Sequence, residues 1–240
     1  MVASNNAIYN TVGASISGVT NTLTVTNPSN TASSAARETI SVGGGTAGDP
    51  TINWNVSGVT NWEMGIDNSV SDNLTISQGT ALGTNDTWRM TTAGQRTMPL
   101  QCSFLYTAIA QANVTGDGST YTIVYATKVF DQSNNFDGIS TFTAPVTGIY
   151  CLGAINSIVG FTAAHNQMDL TLVTSAGSYI QDTKNPYNCS SAGGSFYKSS
   201  NSFLIKLTAG QTAIFRILVG VGTKTVSITG GANIFGYLVC

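Results

Sequence analysis

Charge is what this chain of 240 residues has least of. Nine Lys and Arg and eleven Asp and Glu leave 8% of positions charged and a net charge of −2. An ordinary globular domain is about 25% charged. Nine scattered cations cannot neutralise a phosphate track, which excludes a strongly basic nucleic-acid binder. Histidine occurs once, at His165, so a metal site or triad that depends on imidazole would rest on one ring in the loop-like stretch Thr-Ala-Ala-His-Asn-Gln. A solvated loop histidine is the expectation there. Glutamate occurs only at Glu38 and Glu63, so a glycosidase-type carboxylate pair would have to come from aspartates. No metal and no cofactor is expected.

The four cysteines, Cys102, Cys151, Cys189 and Cys240, never approach C-x-x-C spacing, which removes the usual zinc and redox motifs. The opening Met-Val-Ala-Ser-Asn-Asn-Ala has neither a basic stretch nor an apolar one. No export signal is therefore expected, and the cysteines are expected as free thiols made in a reducing cytosol. Long apolar runs are missing too: 214–219 is interrupted by Arg216 and is far short of the ~20 residues of a spanning helix, so no membrane insertion is expected.

What the chain does have is 42% hydrophobic residues and 26 glycines, the rest being largely Ser, Thr, Asn and Gln. That is enough apolar material for a core, which separates it from disordered chains. Its apolar residues follow a period of two: Leu23 and Val25; Ile52, Trp54 and Val56; Trp62, Met64 and Ile66; Leu74 and Ile76; Trp88 and Met90; Val226 and Ile228. Side chains of a strand alternate between faces, so each run puts its apolar members on one side and Thr, Asn or Ser on the other. Gly and Asn clusters such as 43–45, 116–118, 193–194 and 230–231 punctuate these runs with turn signals. No stretch sustains a 3.6-residue period, and the best helical segment, 107–112, lacks a cap. An all-β sandwich or barrel is expected. Residues 91–101, with Gly94 and Pro99, read as a linker. The repeated Ser-Gly-Val-Thr-Asn at 17–21 and 57–61 does not establish an internal repeat.

Several motifs that suggest chemistry fail on their spacing. Asp67-Asn68-Ser69-Val70-Ser71-Asp72-Asn73 is oxygen-rich, but an EF-hand needs Gly sixth and Glu twelfth, where this chain has Asp72 and Gln78. A turn capped by its own side chains is expected instead. The glycines of 43–48 lead into Asp49-Pro50 rather than Gly-Lys-Ser/Thr and a helix, so a phosphate loop is not expected. No G-x-S-x-G elbow is present.

Three stretches in the second half match a known pattern. Phe142-Thr143-Ala144-Pro145-Val146-Thr147-Gly148-Ile149-Tyr150 resembles the F-x-A-P-x-x-G-x-Y signature of the C1q/tumour-necrosis-factor-like jelly roll. Ser202-Phe203-Leu204-Ile205-Lys206-Leu207-Thr208-Ala209-Gly210-Gln211 resembles that family's strand pair joined by a Leu-x-Ala-Gly-Asp-like turn, with Gln211 where Asp is commoner. Ile234-Phe235-Gly236-Tyr237-Leu238-Val239 resembles its final strand. The resemblance covers 106–240 and implies a homotrimeric binding head. It marks Phe142, Pro145, Gly148, Tyr150, Leu204, Leu207, Phe215, Ile217, Phe235 and Tyr237 as family-motif or trimer-core residues. Less specifically, Leu23-Thr24-Val25-Thr26-Asn27, 42–50, 65–69 and 88–94 resemble phage fibre and tail modules.

Together these resemblances imply three parts: an attachment segment at 1–20 that contacts other virion proteins, a β-rich stalk at 21–97, and a jelly-roll head at 106–240. The expected protein is a non-enzymatic homotrimer located in the virion, a fibre whose head binds a host surface glycan or protein. The alternative is a capsid decoration or cement trimer without a receptor. A depolymerase tailspike ranks below both, because the chain is short and poor in acids. The apolar density of 204–219 and 234–239 exceeds the needs of one sandwich core, and three protomers packed around an axis would bury the surplus.

Overall fold

Thr and the other β-branched and aromatic residues that alternate along this chain suit a pleated surface, and most of the runs they form are strands. The computed structural model describes residues 24–186 and 196–239; the expected attachment segment at 1–20, Cys189, Cys240 and the Gly193-Gly194 turn lie outside them. Residues 24–50 carry no strand and are mostly exposed, Val25 included, so the Leu23/Val25 alternation does not become a strand within the described residues.

The next segment folds into one antiparallel meander, β1 (Thr51–Val56), β2 (Thr60–Asp67), β3 (Asn73–Gln78), β4 (Asp86–Met90) and β5 (Arg96–Thr97), paired in that order. The β2–β3 turn is built as its sequence suggests: Asp67 Oδ1 accepts from Ser69 N, Ser69 Oγ and Val70 N. Ser71 and Asp72 there take φ of 56° and 57°, a conformation that Asp tolerates better than most residues. The expected linker differs from its reading. Its first half closes a hairpin through Thr91 N to Gln95 O, turning at Gly94 with φ of 80°, so that β5 can pair with β4.

The two faces of this meander are unequal in an unusual direction. Glu63, Gly65 and Asp67 of β2, Asn73, Thr75 and Ser77 of β3 and Asp86 of β4 form the buried face. The β3–β4 loop folds over it. Gly83 N donates to Asp86 Oδ1, Gly83 approaches Asp67 Oδ2, and Leu82 is buried there. Ser77 Oγ and Arg89 also hydrogen-bond the Asp86 carboxylate. The apolar residues of the same strands occupy the open face, half-buried or exposed.

The remaining strands form a jelly-roll sandwich of two antiparallel sheets. The first holds β6 (Ser103–Thr107), β7 (Gln111–Thr115), β9 (Thr127–Asp131), β11 (Gly148–Val159), β14 (Phe196–Leu207), β16 (Val226–Ile228) and β17 (Asn233–Leu238). The long β11 pairs with β14 along one side and with β17 and then β16 along the other. The second sheet holds β8 (Thr120–Thr122), β10 (Phe142–Thr143), β12 (Gln167–Thr174), β13 (Gly177–Lys184) and β15 (Thr212–Gly220). Phe104, Tyr150, Leu152, Leu170, Leu172 and Ile217 are among the side chains that fill the space between the sheets. At one margin Tyr197 Oη of β14 donates to Asp182 Oδ2 of β13 at 2.6 Å, and the Tyr179 and Phe203 rings lie 6.2 Å apart. The protein is all-β, with no α-helix among the described residues.

His165 is not the solvated loop residue its sequence context suggests. It is fully buried, with Nδ1 accepting from Thr162 N at 2.8 Å and Nε2 donating to Thr223 O at 3.0 Å. The acceptor role of Nδ1 assigns the proton to Nε2. A β-carbon at Gly222 would stand 2.6 Å from the ring and one at Gly116 would stand 2.9 Å away, so two glycine loops close around the imidazole.

Candidate functional site: the outer faces of the sandwich

The family-like motifs each have a mechanical role. Phe142 and Tyr150 are buried side by side, ring centroids 5.3 Å apart. Tyr150 Oη donates to Val146 O at 2.6 Å and accepts from Val146 N at 3.3 Å, clamping the Pro145–Gly148 turn that admits β11. The Thr208–Gln211 turn docks on the same spot: Gly210 N donates to Ala144 O at 2.8 Å and Ala144 N to Gln211 O at 2.9 Å. Gln211 Oε1 accepts from Thr208 N at 2.9 Å, so the amide oxygen does here what a carboxylate at that position would do. Gly210 holds φ of 83°, which the turn requires.

Burial sorts the ten residues marked by the resemblance. Phe142, Tyr150, Leu207, Phe215 and Ile217 are each at most 2% exposed in the core of a single protomer. The run 214–219 therefore alternates: Phe215, Ile217 and Val219 point into the sandwich, and Ile214, Arg216 and Leu218 point out half-buried. Phe215 and Ile217 are taken up by this core and are not free to line an axis between chains. Pro145 and Gly148 belong to the clamped turn. Leu204, Phe235 and Tyr237 face outward, Leu204 at 70% and Tyr237 at 47% exposure, with Phe235 half-buried.

Those three sit in one patch because of register. Cys151 of β11 stands opposite Leu204 on one side and Tyr237 on the other, giving a row across three strands. In the next row Phe235 stands opposite Gly153 and Leu105, and Leu105 opposite Phe130. Ile149, 38% exposed, extends the patch past Leu204. This row arrangement is a signal that pattern reading misses: a strand's alternation shows that two faces exist, and pairing between strands decides which outward residues become neighbours.

The other sheet presents a different surface. A shallow cavity of about 210 Å³ is lined by Thr120, Asp169, Thr171, Ser178, Arg216 and Leu218, together with Val173. Asp169 is held in place, accepting from Gln167 Nε2 at 2.7 Å and from Thr183 Oγ1 at 2.8 Å. A carboxylate, a guanidinium and three hydroxyls offer donors and acceptors in one groove. Among the described residues no group of three His, Cys, Asp or Glu side chains is placed to hold a metal ion.

No protein-family model matches the chain, and no curated protein matches it. Solved structures do. The globular domain of zebrafish complement 1qA protein is 15% identical, with a TM-score of 0.39 over 58% of this chain and 98% of that one. Murine APRIL at pH 8.0 is 9% identical, with a TM-score of 0.41 over 58% of this chain and 99% of that one. Murine APRIL at pH 5.0 is 10% identical, with a TM-score of 0.39 over 58% of this chain and all of that one.

Proposed function

We propose that the chain is a non-enzymatic, homotrimeric structural protein of a phage virion. In this reading residues 1–20 attach it to other virion proteins, 21–97 form a stalk, and 106–240 form a head that binds a host surface glycan or protein. The observation that carries the reading is the patch of Ile149, Leu204, Phe235 and Tyr237. An open apolar patch rimmed by polar residues marks an interaction surface, and the low charge of this chain lets copies approach a common axis without repulsion. The polar groove around Asp169 and Arg216 lies on the opposite side of the sandwich, facing away from such contacts, and its chemistry suits sugar hydroxyls.

Light scattering on the purified chain tests the assembly: a particle of three times 24.9 kDa is expected, and a folded particle of 24.9 kDa overturns it. Leu204→Asp is expected to lower the mass to that of one chain while leaving the circular dichroism spectrum unchanged. For the head's role, the labelled full-length trimer is mixed with host cells, with purified surface polysaccharide and with capsids. Binding to cells or polysaccharide that weakens in Arg216→Ala supports host attachment. Binding to the capsid lattice alone replaces the fibre reading with that of a decoration trimer.

A further inference from the structure

The meander β1–β5 buries its polar face under its own loop and leaves its apolar face open. Ile52, Met64, Ile76 and Trp88 stand opposite one another in a single row across four strands. Trp54 faces Trp62 in the row on one side, and Ile66, Leu74 and Met90 form the row on the other. Ile52 is 39% exposed and Trp54 51% exposed. A single-layer sheet that hides its carboxylates and shows its tryptophans has its covering layer missing from the protomer.

We infer that the apolar face of β1–β4 packs against the same face of the other copies, so that a trimer's axis runs through the stalk as well as the head. This inference rests on the homotrimeric reading above. Three observations select a second copy as the occupant. First, across β1–β4 the three rows carry no ionisable group; Arg96 of β5, opposite Met90, ends one row at the sheet's margin. A face without charge can meet itself without repulsion. Second, the face meets the patch on the head: Trp88 of the meander and Tyr237 of the sandwich line one cavity of about 410 Å³ beside Arg96, Met98 and Gln101. Third, the areas are of the right size. Four strands of six residues present about 400 Å² per face at ordinary strand spacing and rise. That is half of the roughly 800 Å² per partner found in stable interfaces. The four strands β14, β11, β17 and β6 of the head present a face of the same order, and the two together reach it.

All three tryptophans of the chain, Trp54, Trp62 and Trp88, lie on this face, so intrinsic fluorescence of the full-length protein reads it alone. Acrylamide quenching and emission maximum are measured together with mass by light scattering. A trimer with blue-shifted emission and quenching several-fold weaker than that of a tryptophan peptide is expected. Trp54→Asp is expected to shift the remaining emission to the red and to weaken the trimer, with circular dichroism unchanged. A trimer whose tryptophans quench like the peptide overturns the stalk inference and leaves the homotrimeric reading standing. A trimer in which Trp54→Asp changes neither quenching nor mass also overturns it alone. A single-chain particle overturns both. Tryptophans shielded only when another virion protein is added overturn the choice of a second copy as occupant.

Discussion

The ring of Phe235 lies over Gly153, its direct register partner on β11, so closely that a β-carbon on Gly153 would stand 2.2 Å from Phe235 Cζ. One residue along, the relation is mirrored on the inner face. A β-carbon on Gly236 would stand 2.6 Å from both Leu152 Cδ2 and Phe104 Cε1. Two glycines on neighbouring strands thus let a ring settle on the outside and two large side chains close up inside. Gly153→Ala is expected to lift Phe235 off the sheet and cost about 1–3 kcal/mol, the usual penalty of overpacking. Chemical denaturation measures it. Adding Phe235→Ala should recover part of the loss, a coupling that a double-mutant cycle isolates.

How much of this was legible beforehand depends on whether the information was local. The alternation at Ile52–Val56, Trp62–Ile66 and Leu74–Ile76 is local, and each run lies in a strand. The stretch from Phe142 to Tyr150 is local as well: its clamp, ring to hydroxyl to turn, spans nine residues. Which side of the meander would be covered was not legible. Period two describes both faces equally, and the loop that covers Asp67 and Asp86 does so through Leu82 and Gly83, which carry no pattern. His165 was illegible for the same reason, since its partner Thr223 and the glycines that enclose it lie about fifty residues away on either side. The dense run 214–219 was misleading because density alone suggested an apolar surplus for a trimer axis, whereas Phe215, Ile217 and Val219 fill the protomer's own core and Arg216 and Leu218 point away from it.

His165 works as a staple between loops, so its removal is a stability defect whatever the protein binds. His165→Ala deletes two hydrogen bonds and leaves a cavity beneath Gly116 and Gly222. A loss of about 2–4 kcal/mol is expected from large-to-small substitution and from a Thr162 N–H left without its acceptor. Thermal unfolding followed by circular dichroism checks it. A change below 0.5 kcal/mol, on the order of an ordinary surface substitution, would contradict the staple.

Acid sensitivity should centre on the loop after Phe136. Partial burial pushes the Asp137 carboxyl up, but the N–H groups of Thr141, Ile139 and Ser140 donate to it and hold it below the usual carboxylate range. A carboxyl lowered in the folded state contributes stability above its unfolded pKa and loses it as pH falls through the folded one. The wild-type unfolding midpoint should therefore fall on acidification below about pH 4, the ordinary carboxyl range. Asp137→Asn should flatten part of that slope while lowering the midpoint at pH 7. Parallel pH curves for the two proteins would show that Asp137 does not contribute.

Cys102 is buried at 3% exposure, and burial together with the nearby Asp131 charge pushes its thiol up to about 11. The thiolate is the reactive form, so almost none is present at neutral pH. In the folded protein the peptide carrying Cys102 should remain unlabelled by a maleimide for hours at pH 7. It should react within minutes once denaturant is added. Mass spectrometry of the digested protein separates it from the other three cysteines.

Phe215 and Leu204 are both apolar residues of adjoining strands in sequence, yet they answer to different partners. Phe215 is 2% exposed between Leu172 of β12 and the core, and its carbonyl accepts from Ile123 N at 3.0 Å. Phe215→Ala should cost about 3–5 kcal/mol. Phe215→Asp, which adds an unpaired buried charge, should leave no folded protein. Leu204 is 70% exposed, so Leu204→Asp should leave the protomer's unfolding free energy within about 0.5 kcal/mol when measured on dissociated chains. Soluble expression, circular dichroism and light scattering on the two aspartate variants therefore separate folding from assembly. If Phe215→Asp gives a soluble oligomer of native mass, the side chain lies outside the core and the inward face assigned to β15 is wrong.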